Sequence, residues 1–266
     1  MHRNPRAIQV VILCGGMGTR LREETEFRPK PLVEIGGKPI LWHIMKIYSR
    51  FGFKEFVLCL GYKGYMIKEY FLNYRMKQSD FTLCLDAPDR LRFHNANGQE
   101  DWAITFAETG ADAMTGARVK RIEKYINGDN FMLTYGDGLA DLDVSELWRF
   151  HHENGKIGTV TGVRPKSRYG ELSVLDGRVR QFSEKPQVKE GYISGGFFVF
   201  KRNFFNYLQD DDRCVLESEP LERLTKEGQL MSYMHTGFWH CMDTYRDYVG
   251  LNDMWKQNPP WRIWHK

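Results

Sequence analysis

The stretch IQVVILCGGMGTRL, Ile8 to Leu21, governs the reading of the residues around it. Ile8 to Cys14 is apolar and rich in β-branched residues, and Gly15 and Gly16 stop it, as expected of a strand buried on both faces of a parallel sheet. Gly15, Gly16 and Gly18 then leave backbone N–H groups open to a phosphate, where side chains would block its close approach. Arg20 adds charge to the same turn. No GK[ST] closes the segment, so it is not a Walker A sequence, and its glycines do not keep GxGxxG spacing. A phosphate-binding turn and a purely structural turn both fit these residues.

Downstream, Ile40, Leu41, Ile44, Ile47, Tyr48 and Phe51 recur at helical spacing behind Pro39, predicting an amphipathic helix over 40–51. Phe56 to Leu60 reads as the next buried strand and Gly64 to Tyr74 as the next helix, an alternation that predicts βαβ units. In the middle of the chain, Phe81 to Leu85 and Trp102 to Ala107 read as strands. Val119 to Ile126 reads as a helix, and Phe131 to Tyr135 as a third buried strand. A helix running to His152 starts with Asp143 or Asp141 as its N-cap. Residues 157–163, 171–175, 179–182 and 192–200 are strand-like and separated by short polar or glycine segments, which predicts antiparallel additions. Arg202 to Leu208, Glu219 to Glu227 and Thr244 to Trp255 read as helices ahead of a Pro259, Pro260, Trp261 tail. The expectation is an α/β fold, a Rossmann-like mixed, mainly parallel sheet flanked by helices with antiparallel additions in the C-terminal half. With no internal repeat and no linker, residues 1–266 are expected to form one domain.

At 266 residues and 42% hydrophobic composition, the chain can bury one large core. Its 38 Lys and Arg against 34 Asp and Glu give a net charge of +4 without basic runs, so no nucleic-acid partner is expected. A mild positive balance suits small anionic substrates and equally a solvated surface. Cys14, Cys59, Cys84, Cys214 and Cys241 make no CxxC or Cys/His ligand pattern and read as reduced thiols. The apolar run Ile8 to Cys14 is too short for a signal peptide or a membrane span, which points to a cytoplasmic protein without a membrane partner.

Several segments carry the chemistry. In Arg28, Pro29, Lys30, Pro31 the two prolines stiffen the backbone around an ammonium, a setting that suits a phosphate and also an ordinary surface turn. Tyr135, Gly136, Asp137 and Gly138 place a carboxylate at the end of a buried strand, where open α/β sheets gather ligands. A carboxylate there suits Mg²⁺, which takes one or two protein carboxylates together with substrate phosphates. Asp243 follows an apolar aromatic stretch and precedes a helix, so it is either a second metal ligand or that helix's N-cap. Glu184 and Lys185 lie before Pro186, either as sugar and phosphate ligands or as a surface ion pair. Gly195 and Gly196 leave an approach surface in front of aromatic strand residues, or merely permit a bulge.

Taken in order, LCGGMGTRL, RPKPLVEIGGKPILWHIM, GYKGYMIKEYF, TGADAMTGARVKR, TYGDGLADLD, FSEKP, SGGFFVF and GFWHCMDTYRD resemble the sugar-1-phosphate nucleotidyltransferases, nearest to their glucose-1-phosphate cytidylyltransferase branch. The likeness covers about residues 8 to 264. It implies transfer of a cytidylyl group from CTP to a sugar 1-phosphate with Mg²⁺ as cofactor, giving a CDP-sugar and pyrophosphate. The nucleotide half would cover about 8–140 and the sugar-phosphate half about 141–250, with a C-terminal helix and tail over 244–266. By the same resemblance, Leu13, Gly15, Gly16, Gly18, Thr19, Arg20, Lys30, Thr115, Arg118 and Gly136 would hold the nucleotide. Arg20, Lys30 and Lys185 would act in catalysis, and Asp137 and Asp243 would bind the metal. Tyr135, Tyr169, Gly170, Glu184, Lys185, Ser194 and Gly195 would meet the sugar phosphate.

Two positions depart from the family pattern. Ser194 stands where the family has Asn, offering a shorter hydroxyl in place of an amide, and Glu171 stands where the pattern is more apolar. Both fall on the sugar side, which leaves a different sugar, another phosphorylated acceptor or another nucleoside triphosphate open. A homo-oligomer is expected, with Trp255, Trp261 and Trp264 at a subunit contact or capping the core. The rival readings are a regulator that binds nucleotide or sugar phosphate without turnover, and a dinucleotide-dependent oxidoreductase, which the glycine spacing disfavours.

Overall fold

The computed structural model describes residues 8–86, 90–94, 100–165, 171–175, 178–183 and 191–265. Strand β1 (Gln9–Leu13) is buried along its whole length. Its side chains alternate between two cores, Val10 and Ile12 facing one and Val11 and Leu13 the other, so an unbroken apolar run is what the position requires. Parallel partners flank it on both sides: β2 (Glu55–Leu60), with Val10 opposite Phe56, and β4 (Asn130–Tyr135), with Val10 opposite Met132. Beyond β2 lies β3 (Ala103–Glu108), also parallel. Beyond β4 come β6 (Ile193–Lys201), β5 (Gly158–Val163) and β7 (Leu230–His235), giving the order β3-β2-β1-β4-β6-β5-β7.

Within this sheet β6 is the reversed strand, antiparallel to both β4 and β5, while β7 runs parallel to β5. The antiparallel additions therefore reduce to β6 and to ribbons outside the sheet, among them Glu171–Leu175 with Arg178–Ser183. The strand expected over Phe81 to Leu85 forms over Phe81–Leu83 and pairs with Leu91–Phe93 as one such ribbon, outside the main sheet. β7 was not expected from its sequence. As an edge strand it alternates half-buried and exposed residues, and polar Ser232 and His235 dilute its apolar pattern.

Helix α1 (Ile40–Arg50) starts directly after Pro39 and turns Ile40, Leu41, Ile44, Ile47 and Tyr48 onto the first core face. Helix α2 (Gly64–Leu72) follows β2, and α3 (Thr115–Arg121) lies on the other face. The helix expected over 119–126 starts earlier, at Thr115, and ends at Arg121, with a 3-10 turn at Glu123–Tyr125 after it; its early start takes in Gly116, a weak helix former that hid it from the sequence pattern. A Cβ there would stand 2.6 Å from Cys214 Sγ, so close packing demands the residue that helix propensity disfavours. Helix α4 (Val144–Asn154) is capped by Asp143, whose carboxylate accepts from Ser145 N at 2.9 Å and Glu146 N at 3.1 Å. Helix α5 (Glu219–Lys226) packs Leu224 into the second core.

The last helix, α6 (Tyr245–Lys256), is capped by Thr244 and Asp247 in a capping box. Asp243 is thereby released from the capping role that its position allowed. The tail beyond α6 folds back: Trp261 is fully buried and Trp255 and Trp264 pack against the first core. It caps the core and does not form an exposed aromatic surface. No helix among the described residues is long and apolar enough to cross a membrane.

Trp261 also fixes the state of buried His43. The His43 Nε2–H donates to the Ile35 carbonyl at 2.9 Å while Nδ1 accepts from the Trp261 indole at 3.5 Å. That arrangement requires a neutral ring, and burial pulls the His43 pKa down from 6.5 to about 4. Below pH 6.5 the unfolded chain takes up a proton that the folded ring refuses until about pH 4, so stability falls as pH falls across that window. Buried His151, pulled down by burial to about 3, acts in the same direction. The expected outcome is a urea midpoint that drops from pH 7 to pH 5, with about 1.4 kcal/mol per pH unit contributed by His43. His43→Gln should flatten this slope whatever its absolute stability; an unchanged slope would show that the ring is not the group responsible.

Candidate active site

The carboxyl ends of β1 and β4 open into a cleft of about 360 Å³. Its rim is the glycine turn. Gly18 sits in the left-handed region at φ +63, and Thr25 Oγ1 donates to its carbonyl at 3.0 Å. A Cβ on Gly16 would meet nothing within 4 Å, so that face is open to the cleft. Among the described residues the backbone N–H groups of Gly16, Met17 and Gly18 donate to no protein acceptor. Three such donors in one turn are the raw material of an anion-binding concavity.

Opposite the turn, two distant parts of the chain meet through a short antiparallel ribbon, Gly138–Ala140 with Trp239–Cys241. Asp137 immediately precedes its first strand and Asp243 closely follows its second, so antiparallel pairing sets the two residues side by side. Met242 N donates to the Asp137 carbonyl at 2.9 Å and secures that end. Carboxylate oxygens of Asp137 and Asp243 and the Cys241 sulfur lie within 4.8 Å of one another. Asp247 holds the Asp243 backbone, accepting from its N–H at 3.1 Å.

Lys30 reaches into this pair from the helical turn Lys30–Leu32, with Pro29 and Pro31 on either side. Its Nζ donates to Asp137 Oδ2 at 2.7 Å and to Asp243 Oδ1 at 2.7 Å, and Arg20 Nη1 donates to Asp243 Oδ2 at 2.7 Å. Burial alone would disfavour the ammonium, yet the carboxylates of Asp137 and Asp243 outweigh it and hold the Lys30 pKa above the ordinary 10.5. The Cys241 thiol is pushed well above its usual value by burial and then by Asp137, and it stays protonated. The centre is thus two carboxylates, two cations and a neutral thiol beside the glycine turn.

A family model for nucleotidyl transferases matches residues 9–257. The chain belongs to the nucleotidyl transferase family. A glucose-1-phosphate cytidylyltransferase of Salmonella typhimurium is 48% identical over 259 residues, covering 97% of this chain and 100% of that protein. A probable glucose-1-phosphate cytidylyltransferase of Bacillus subtilis is 46% identical, covering 97% and 100%. Among solved structures, a putative glucose-1-phosphate thymidylyltransferase of Bacillus anthracis matches with a TM-score of 0.69 at 17% identity, over 94% of this chain and 96% of that one. HddC of Yersinia pseudotuberculosis matches at 0.66 and 24%, over 93% and 99%. At these identities the two structures share the fold.

In this nucleotidyl transferase the cleft is lined by Leu13, Gly15, Gly16, Gly18, Thr19, Arg20, Lys30, Thr115, Arg118, Tyr135, Gly136 and Asp137, all singled out from the sequence. Asp243 joins them through Lys30 and Arg20. Ser194 and Gly195 sit at the start of β6, outside the cleft lining; the Ser194 hydroxyl accepts from Gly196 N at 3.3 Å, and the Gly195 carbonyl accepts from Trp239 Nε1 at 2.8 Å. Tyr169, Gly170, Glu184 and Lys185 lie outside the described residues.

Two of the polar residues expected on the nucleotide are committed to the protein. The Arg118 guanidinium is buried, with Nη1 donating to the carbonyls of Leu60 (3.0 Å) and Gly110 (2.7 Å), and Nη2 to those of Gly15 (3.2 Å) and Ala111 (3.1 Å). It braces the glycine turn from beneath. The Thr115 hydroxyl donates to Glu217 Oε2 at 2.7 Å, and the Tyr135 hydroxyl donates to the same carboxylate. Burial and then Glu217 push the Tyr135 pKa up. The sequence reading missed Glu217 and Cys241. Nothing local marks Glu217, whereas Cys241 stands two residues before Asp243 in a strand-like aromatic stretch.

The bracing implies unequal neighbours. A Cβ on Gly15 would stand 2.2 Å from Arg118 Nη1, whereas one on Gly16 meets open space. Gly15→Ala should therefore destabilise the fold by about 1–3 kcal/mol and Gly16→Ala by no more than about 0.5 kcal/mol, read from urea unfolding. Equal losses at the two positions would contradict Arg118's place under the turn.

Proposed function

We propose that this enzyme transfers a cytidylyl group from CTP to glucose 1-phosphate, giving CDP-glucose and pyrophosphate. The observation that carries the reading is the meeting of Asp137, Asp243, Lys30 and Arg20 beside the open N–H groups of the glycine turn. The choice of CTP and glucose 1-phosphate is supported by the near full-length relatives that bear that name. CTP would lie on the 8–140 side and the acceptor on the 141–250 side. A cytoplasmic location goes with this reading.

The residues present fit a hard divalent ion such as Mg²⁺. Asp137 and Asp243 offer two carboxylates within reach of one ion, and protonated, soft Cys241 is unsuited to it. When bound, Mg²⁺ supplies positive charge to phosphate oxygens. The chain does the rest by binding and orientation. The N–H groups of Gly16, Met17 and Gly18 take up triphosphate oxygens, and Arg20 and Lys30 spread positive charge along them. Lys185 is assigned to the acceptor phosphate and Glu184 to the sugar hydroxyls.

An oxygen of the sugar phosphate, already ionised, attacks the α-phosphorus of CTP in line. A new P–O bond forms as the bond to the bridging oxygen breaks, and pyrophosphate departs with the electron pair. No protein nucleophile or general base is required, so catalysis consists of bringing two anions together and offsetting their repulsion.

Pyrophosphate release should be greatest for CTP with glucose 1-phosphate when four nucleoside triphosphates are screened against several sugar 1-phosphates with Mg²⁺. Preference for another pair would reassign the substrate and keep the class. Tight CTP binding without pyrophosphate release from any pair would instead make the protein a regulator. Asp137→Ala should lower kcat about 100-fold or more. Near-normal turnover in that variant would remove Asp137 from the metal site.

A further inference from the structure

With Asp137 and Asp243 as the metal ligands of the reaction proposed above, we infer that Lys30 is the resident cation of that site in the free protein. A nucleoside triphosphate must draw it off before a divalent ion can enter. The Lys30 ammonium stands 2.7 Å from an oxygen of each carboxylate. Its side chain is only 12% exposed and rises from a turn stiffened by Pro29 and Pro31, so the contact is built in and is not a passing surface pair. Arg20 takes the other oxygen of Asp243 at 2.7 Å.

An ion at coordination distance from both carboxylates would need the space that the ammonium fills, since Mg²⁺ sits about 2.0–2.1 Å from its oxygens. Charge forbids sharing as firmly as space does. Two carboxylates already face two cations, and a further double positive charge would lie a few ångströms from Lys30 in a poorly solvated setting. A triphosphate reverses this balance. Seated on the glycine turn that also carries Arg20, it brings the negative charge to which Lys30 and Arg20 transfer, and the carboxylates are left to the metal. Metal and nucleotide then bind cooperatively, each raising the affinity for the other through one movable ammonium. Lys30 guards the site in the free protein and clamps phosphate in the complex.

This makes an expectation opposite to that for an ordinary ligand-binding residue: removing Lys30 impairs turnover but improves metal binding in the absence of nucleotide. The test is titration of free Mn²⁺, followed by its electron paramagnetic resonance signal, with no nucleotide present. Wild-type protein should show only weak binding. Lys30→Met and Lys30→Gln should each bind one Mn²⁺ at least tenfold more tightly, and adding Asp137→Asn to Lys30→Met should abolish the gain. Equal Mn²⁺ affinity in wild type and both Lys30 variants would overturn the exchange, as would a tight, stoichiometric Mn²⁺ site in the nucleotide-free wild type. Because the titration uses metal alone, a protein active in pyrophosphate release but showing no gain sinks the exchange and spares the proposed reaction. An inactive protein that shows the gain does the reverse.

Discussion

Two carboxylates more than a hundred residues apart in the chain cannot be held side by side in a half-buried cleft unless something offsets their repulsion. In this protein one ammonium does so, with Lys30 hydrogen-bonded to Asp137 and Asp243 together. Burial works against the Lys30 ammonium taken singly, yet its carboxylate partners hold its pKa above the ordinary value. The antiparallel ribbon between Gly138–Ala140 and Trp239–Cys241 supplies the geometry, and the two prolines around Lys30 restrict the third member. The elements around the cleft serve to keep these three side chains in register with the glycine turn.

That turn owes its shape to a buried cation of another kind. Arg118 lies below it and donates to the carbonyls of Gly15, Leu60, Gly110 and Ala111, which ties the end of β2 and the loops following β1 and β3 to one planar group. Glycine is needed at 15 and at 61 because the guanidinium occupies the space a side chain would take, with a Cβ on Gly61 only 2.4 Å from Nη1. The turn that carries the unpaired N–H groups is therefore held in shape in the absence of ligand. Preorganisation of this sort reduces the ordering cost of binding an anion.

Much of this arrangement was legible in the residues themselves. Strand β1 and its glycine turn, the helix at 40–50 and the strand ending in Tyr135 carry strong periodic or compositional signals, because both faces of a parallel strand and one face of a helix must be apolar. Lys30 and Asp137 stood out by their placement among prolines and glycines, and Asp243 by its place between an aromatic stretch and a helix. What local pattern could not reveal is partnership. Arg118 has the same appearance in sequence whether it grips a phosphate or four carbonyls, and Glu217 has no signal until Tyr135 and Thr115 are seen to share it. The edge strand β7 escaped notice because a strand paired on one side need not be apolar throughout.

The ribbon that joins the two aspartates has a consequence for biosynthesis of the chain. Strands β1 to β4 and the glycine turn are complete once residue 135 has been made, but Asp243 emerges more than a hundred residues later and next to the last long helix. Since domains generally fold as units, Lys30 and Asp137 are both on the chain long before the third member of their cluster exists. Closure of the charged centre is thus a late event in maturation, and it reports that the C-terminal quarter has docked.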